Sequence, residues 1–173
     1  MLSNPRFYWT ARLSAMTLAL SLSAAATVHA APTGDAGSET EAIMIAMIPM
    51  GKQMLEKQGK FVPYGGAMTM DGKVVTVAGY RRPEPPPSQE IIDALNVAFR
   101  AGALTGTYKA TGLFSDVEVS PPGGKENTRA IMVALDHHDN YSVVIYFPYK
   151  IIGGTVHLYE VFALPGENKV FQK

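Results

Sequence analysis

The chain contains no cysteine. That absence excludes thiol nucleophiles, zinc–thiolate sites and disulfide bonds, and it excludes a lipid anchor attached at a leader-cleavage cysteine. The sequence has one tryptophan, Trp9, and no excess of either charge, with 15 basic and 15 acidic residues. A balance of this kind gives no electrostatic reason to bind nucleic acid or an anionic membrane. Catalytic signatures are missing too. There is no His-Glu-x-x-His pair for a metalloprotease and no Gly-x-Ser-x-Gly elbow for a serine hydrolase. The glycine pairs Gly65-Gly66, Gly123-Gly124 and Gly153-Gly154 lack the strand–loop–helix context of a phosphate loop, and Gly124-Lys125 is followed by Glu126 rather than Ser or Thr, so they read as bulges and turns.

What is present begins with a leader. Arg6 and Arg12 precede an uncharged run from Leu13 to Thr27, and Val28-His29-Ala30 fits the small-x-small cleavage rule. Residues 1–30 therefore read as a secretory signal peptide. The run is shorter than the roughly 20 residues that a membrane span needs, so no stable span is expected after cleavage. The expected location is periplasmic or secreted. Loss of Arg6 and Arg12 tips the charge balance to two negative charges. An exported chain without disulfides must rely on an apolar core, which one domain of this size can supply.

Residues 31–37 read as a flexible leader segment and residues 38–173 as a single domain. Ser38 followed by Glu41 is a capping-box pattern and predicts a helix from Ser38 to Gly59. Pro49 falls inside it and predicts a kink or two short helices in line. Asp71-Gly72, between the apolar runs Phe61–Met70 and Lys73–Tyr80, predicts a two-residue hairpin. Pro63 predicts an edge, a strand start or a bulge in the first of these strands, and Gly65-Gly66 supports a bulge. A proline-rich connector, 81–87, leads to a second helix capped by Ser88, with Ile91, Leu95, Ala98 and Phe99 on one stripe. Strands then follow over Tyr108–Val119, Arg129–His137, Tyr141–Tyr149 and Thr155–Ala163, and the tail is placed to return Val170 and Phe171 to the core. The order α-β-β-α-β-β-β-β predicts an α+β fold: an antiparallel sheet of about five to six strands with two helices on one face.

Two stretches invite a metal. Met44, Met47, Met50 and Met54 share one helix face, with Met68 and Met70 on the next strand, and thioethers suit Cu(I). The isoleucines beside them favour a core stripe, in which methionine fills gaps. Asp136-His137-His138-Asp139 offers four potential ligands in a row, but neighbours on a strand point to opposite faces and Asn140 marks a turn. We therefore assign no metal, no cofactor and no catalytic residue. The binding candidates are Arg81 and Arg82, suited to a carboxylate or an acidic partner, and Tyr64, Tyr141 and Tyr146, since exposed tyrosine is typical of binding surfaces.

Glu56-Lys57-Gln58-Gly59-Lys60-Phe61-Val62-Pro63-Tyr64-Gly65, the Asp-Gly hairpin and Leu135-Asp136-His137-His138-Asp139-Asn140-Tyr141 together resemble a set of small bacterial α/β proteins. Those carry a Leu-Glu-Lys-x-Gly-x-Phe-x-Pro-Phe-Gly element after a first helix. The resemblance rests on short motifs and implies no activity. The element order also resembles profilin-like and roadblock-like domains, which mostly bind partners, although roadblock-like domains usually act inside the cell. The expectation is an exported, non-catalytic binding protein, immunity- or inhibitor-like in form, with an unknown protein or small-molecule partner in the cell envelope. The alternative is a periplasmic copper carrier or small enzyme that uses the methionine face or His137, His138 and His157.

Overall fold

A computed structural model describes residues 35–80, 83–123 and 126–172. The leader expected over residues 1–30 lies outside the described residues, as do Arg81 and Arg82.

The first helix, α1, spans Ala36–Gln58. It starts earlier than the Ser38 capping box suggests, because Asp35 takes the cap: its Oδ1 accepts from the Ser38 backbone N–H at 2.9 Å. At the other end Gly59 adopts φ 70 and donates its N–H to Leu55 O, the left-handed closure read from the sequence. Pro49 does not divide the helix. It lies on the exposed side, near Ile45, whose carbonyl loses its intrahelical donor where solvent can replace it.

β1 (Tyr64–Thr69) and β2 (Val74–Val77) follow as an antiparallel pair. Their loop is one residue longer than expected. Thr69 N donates to Lys73 O and Gly72 N to Thr69 O, and of the central residues only Gly72 has positive φ, at 84. The two-residue turn with both residues at positive φ occurs instead at Gly153-Gly154, at φ 59 and 82.

The second helix, α2, spans Ser88–Leu104, with Pro87 rather than Ser88 in the cap position. Four strands follow, β3 (Tyr108–Val119), β4 (Thr128–His137), β5 (Tyr141–Ile152) and β6 (Thr155–Leu158), and then β7 (Phe162–Pro165). The sheet is antiparallel throughout, in the order β2-β1-β3-β4-β5-β6, with β7 also on β5. The fold is α+β, with seven strands rather than five or six. The expected strand Thr155–Ala163 divides, because β6 pairs with the second half of β5 and β7 with the first half. Pro148 sits at the changeover, and its carbonyl accepts from Tyr159 N at 2.8 Å.

The helices lie on opposite faces of the sheet, not on one. β1 shows why. It lies between β2 and β3 and is buried from Tyr64 to Met68, so both of its faces need cover. Gly65 and Gly66 are regularly paired and form no bulge. A Cβ on Gly65 would lie 2.7 Å from Phe99 of α2, and one on Gly66 would lie 2.9 Å from Met47 of α1. The glycine pair is the place where two helices close on one strand from opposite sides.

α1 packs Ile43, Met47 and Leu55 against Phe114, Ile131 and Val133. Met44, Met50 and Met54 are partly buried in the same cluster, so the methionine face is a core stripe, while Met70 is exposed. On the other face α2 packs Ile91, Leu95 and Phe99 against Ala67, Val77 and Leu113, and Val170 of the tail joins them. Among the described residues no helix is long and apolar enough to cross a membrane.

Candidate functional site

α2 covers only β1–β3 on its side of the sheet, so among the described residues the same face of β4 and β5 has no helix above it. The tail after β7 partly closes this gap, and a cleft of about 320 Å³ remains between the two. Its floor is apolar: Leu113, Met132, Ala134, Val144 and Tyr146. Ile92, Asn96 and Phe99 of α2 form one wall, and residues 165–170 form the other. At the open end Tyr146 stacks on Phe162, with ring centroids 4.9 Å apart and planes 14° apart.

The tail is held by side chains of the β4–β5 hairpin. Ser142 Oγ donates to Asp136 Oδ1 at 2.6 Å and accepts from Asn168 N at 3.0 Å. Asp136 Oδ2 accepts from Val170 N at 3.2 Å. Asn168 sits at φ 46, and its Oδ1 is buried without a hydrogen-bond partner. Glu167 and Lys169, both exposed, pair with each other at 2.9 Å.

Thr111 on the cleft floor is 2% exposed, and its hydroxyl makes no hydrogen bond among the described residues. The amide of Asn96 and the hydroxyl of Tyr146 also lack partners there. The side-chain atoms that are fully buried without a partner among the described residues are Ser115 Oγ and Asn168 Oδ1; the Thr111 hydroxyl is not one of them and faces the space of the cleft. The cleft is thus an apolar trough with unused hydrogen-bonding capacity on its floor, wall and mouth, the usual composition of a small-molecule site.

A second polar cluster lies on the opposite face, under the start of α1. Glu39 Oε1 meets Lys109 Nζ at 2.6 Å, and Oε2 meets His137 Nε2 at 2.9 Å. Burial pushes the Glu39 carboxyl up, but the hydrogen bonds from Lys109 and His137 outweigh it and hold the carboxyl below its ordinary value. Asp139 N donates to His137 Nδ1 at 3.0 Å, so Nδ1 accepts and Nε2 carries the proton toward Glu39. With both ring nitrogens engaged, His137 has no lone pair free for a metal.

His137, His138 and Asp139 do converge, with one potential ligand atom of each within 4.8 Å of the others. The turn that begins after His137 brings them together, which strand alternation alone does not foresee. The engaged His137 leaves at most two free donors in this group, too few for a structural zinc site. His157 lies on β6, exposed, opposite Lys150 of β5.

Comparison with protein-family models, with curated proteins and with solved structures yields no match.

The tyrosines named from the sequence separate. Tyr64 is a core residue and not part of a binding surface. Its ring stacks on Phe114 at 4.8 Å, and its hydroxyl donates to Met47 O at 3.0 Å. Burial pushes that hydroxyl well above the ordinary tyrosine value. Tyr141 is exposed at the start of β5, and only Tyr146 reaches the cleft. Sequence reasoning missed Asn96, Thr111 and Ser142, and it left Asp136 as a turn residue.

Proposed function

We propose that this chain is an exported, non-catalytic binding protein that holds a small molecule in the cleft between α2, the open sheet face and the C-terminal tail. The observation that carries this reading is Thr111, a residue 2% exposed on the floor of an apolar cleft, whose hydroxyl has no partner among the described residues. The non-catalytic part rests on the state of the titratable groups. Asp136 is occupied by Ser142 and the tail, and His137 faces the other side of the sheet with both nitrogens engaged. Export rests on the leader over residues 1–30.

The test is native mass spectrometry of the mature chain purified from an envelope extract, beside an Ala134→Phe variant that fills the floor of the cleft. The expected result is a small bound mass on the wild type that the variant lacks. Retention of the same mass by the filled variant would place binding elsewhere and overturn the assignment of the site.

A further inference from the structure

The charge and shape of the cleft narrow what it can hold. A cavity of about 150 Å³ holds a single benzene ring, so 320 Å³ admits roughly two rings. The walls suit such a body, with Phe99 on one side and the stacked Tyr146–Phe162 pair at the mouth.

The charged lining groups are Asp136, Glu167 and Lys169, two carboxylates against one ammonium. That ammonium is exposed and already paired with Glu167. An anion entering the cleft would be desolvated beside Asp136 with no unpaired cation among the described groups that line it. The unpartnered polar groups, Thr111, Asn96 and Tyr146, are neutral, and each can both donate and accept. Buried polar groups of this kind reject an analogue that lacks their hydrogen-bonding counterpart more strongly than an apolar wall rejects a change of size.

We infer that the ligand is a neutral molecule of about two rings bearing one hydroxyl or amide, with its ring body on the Leu113–Ala134–Val144 floor and its polar group at Thr111 and Asn96. The inference rests on the cleft as the binding site and adds its chemical selectivity.

The test uses three matched probes on the full mature chain: 2-naphthol, naphthalene and 2-naphthoate. Backbone amide NMR shifts locate the binding, and titration gives the affinities. The expected result is that 2-naphthol shifts Thr111, Asn96 and Tyr146 and binds about tenfold more tightly than either comparator, one hydrogen bond's worth of affinity. Thr111→Val is close in size to the native residue and removes a hydroxyl with no partner, so it is expected to fold. It should bring 2-naphthol down to the affinity of naphthalene. Asn96→Leu, at a half-buried helix position, is the second variant and should weaken 2-naphthol alone.

Binding of 2-naphthoate in the cleft as tightly as 2-naphthol overturns the inference and leaves the cleft as the site. So does equal binding of naphthalene and 2-naphthol that neither variant alters. Failure of all three probes to shift any cleft residue at millimolar concentration overturns both the inference and the reading on which it rests.

Discussion

Glu39 and His137 stand 98 positions apart in the chain and meet at 2.9 Å, with Lys109 on the other carboxylate oxygen at 2.6 Å. The contact fastens the first turn of α1 to the ends of β3 and β4, where the helix has few apolar partners. All three side chains are largely buried, so each depends on the others for its missing water. Glu39→Gln keeps an acceptor for His137 but leaves Lys109 without its counter-charge. The expected loss is about 3 kcal/mol of unfolding free energy at pH 7. The pH dependence has a defined sign. Because the folded-state value of Glu39 lies below 4.5, its ionised form stabilises the native state fully above pH 4.5, and the contribution is lost as the pH falls through the folded value. Urea unfolding at several pH values should show wild type and variant converging below pH 4.5. A gap that holds constant or widens toward pH 3 would contradict the role given to this carboxylate.

Gly51 lies in the middle of α1, where alanine usually adds up to about 1 kcal/mol. Here the sign should reverse. A Cβ at position 51 would sit 2.7 Å from the Tyr64 hydroxyl, though 3.6 Å from its ring atoms. Tyr64 cannot withdraw, since it stacks on Phe114 with planes 3° apart and bonds to Met47 O. Gly51→Ala is expected to destabilise by about 1–2 kcal/mol. In a Tyr64→Phe background the clashing atom is gone, and the same substitution should become neutral or stabilising. The cycle is read from four thermal or urea unfolding curves, and additivity of the two substitutions would refute the contact.

Thr111→Val separates a binding hydroxyl from a structural one. A hydroxyl that served the fold would have a partner in the protein, and its removal would destabilise. Thr111 has none among the described residues and faces the cleft, so valine should change the stability of the ligand-free chain by no more than about 0.5 kcal/mol while weakening ligand binding. Differential scanning calorimetry of the two ligand-free proteins checks the first half. A larger fall in Tm for the variant would mean that the hydroxyl has a structural partner.

The local grammar of the chain was readable from sequence because its causes are local. Gly59 closes α1 since only a residue tolerant of positive φ fits there. The stripe Ile91, Leu95 and Phe99 is buried because a helix places those positions on one face. The placement of the helices was not readable. Alternation cannot separate a strand with one buried face from β1, which is buried on both, and Gly65-Gly66 reads as a bulge until two helices are seen to land on it. The N-cap was misplaced because the Ser38–Glu41 capping box heads an acceptable first turn, whereas Asp35, read as part of a flexible leader, takes the cap with a side-chain bond to the Ser38 N–H. The cleft was illegible for a different reason. Its members come from α2, β3, β4, β5 and the tail, and no spacing within the chain records that they meet.

The tail wall of the cleft hangs on Ser142. Its hydroxyl donates to Asp136 and accepts from Asn168 N, and its carbonyl accepts from Gly166 N at 3.1 Å. Ser142→Ala keeps the last contact and removes the first two, so Asn168 N loses its partner and Asp136 keeps only Val170 N on its other oxygen. Val170 remains buried in the apolar cluster under α2, which should keep the tail docked most of the time. The expected change is therefore local: about 1–2 kcal/mol less protection for residues 168–170 and little change in the β4 core. Amide hydrogen exchange should show those tail amides exchanging about tenfold or more faster while Val133 and Ile131 keep their rates. A uniform acceleration across both regions would mean that Ser142 stabilises the whole fold rather than the wall. If the wall loosens alone, ligand affinity in the cleft should fall with it, because an occupant would then have to order the tail as it binds.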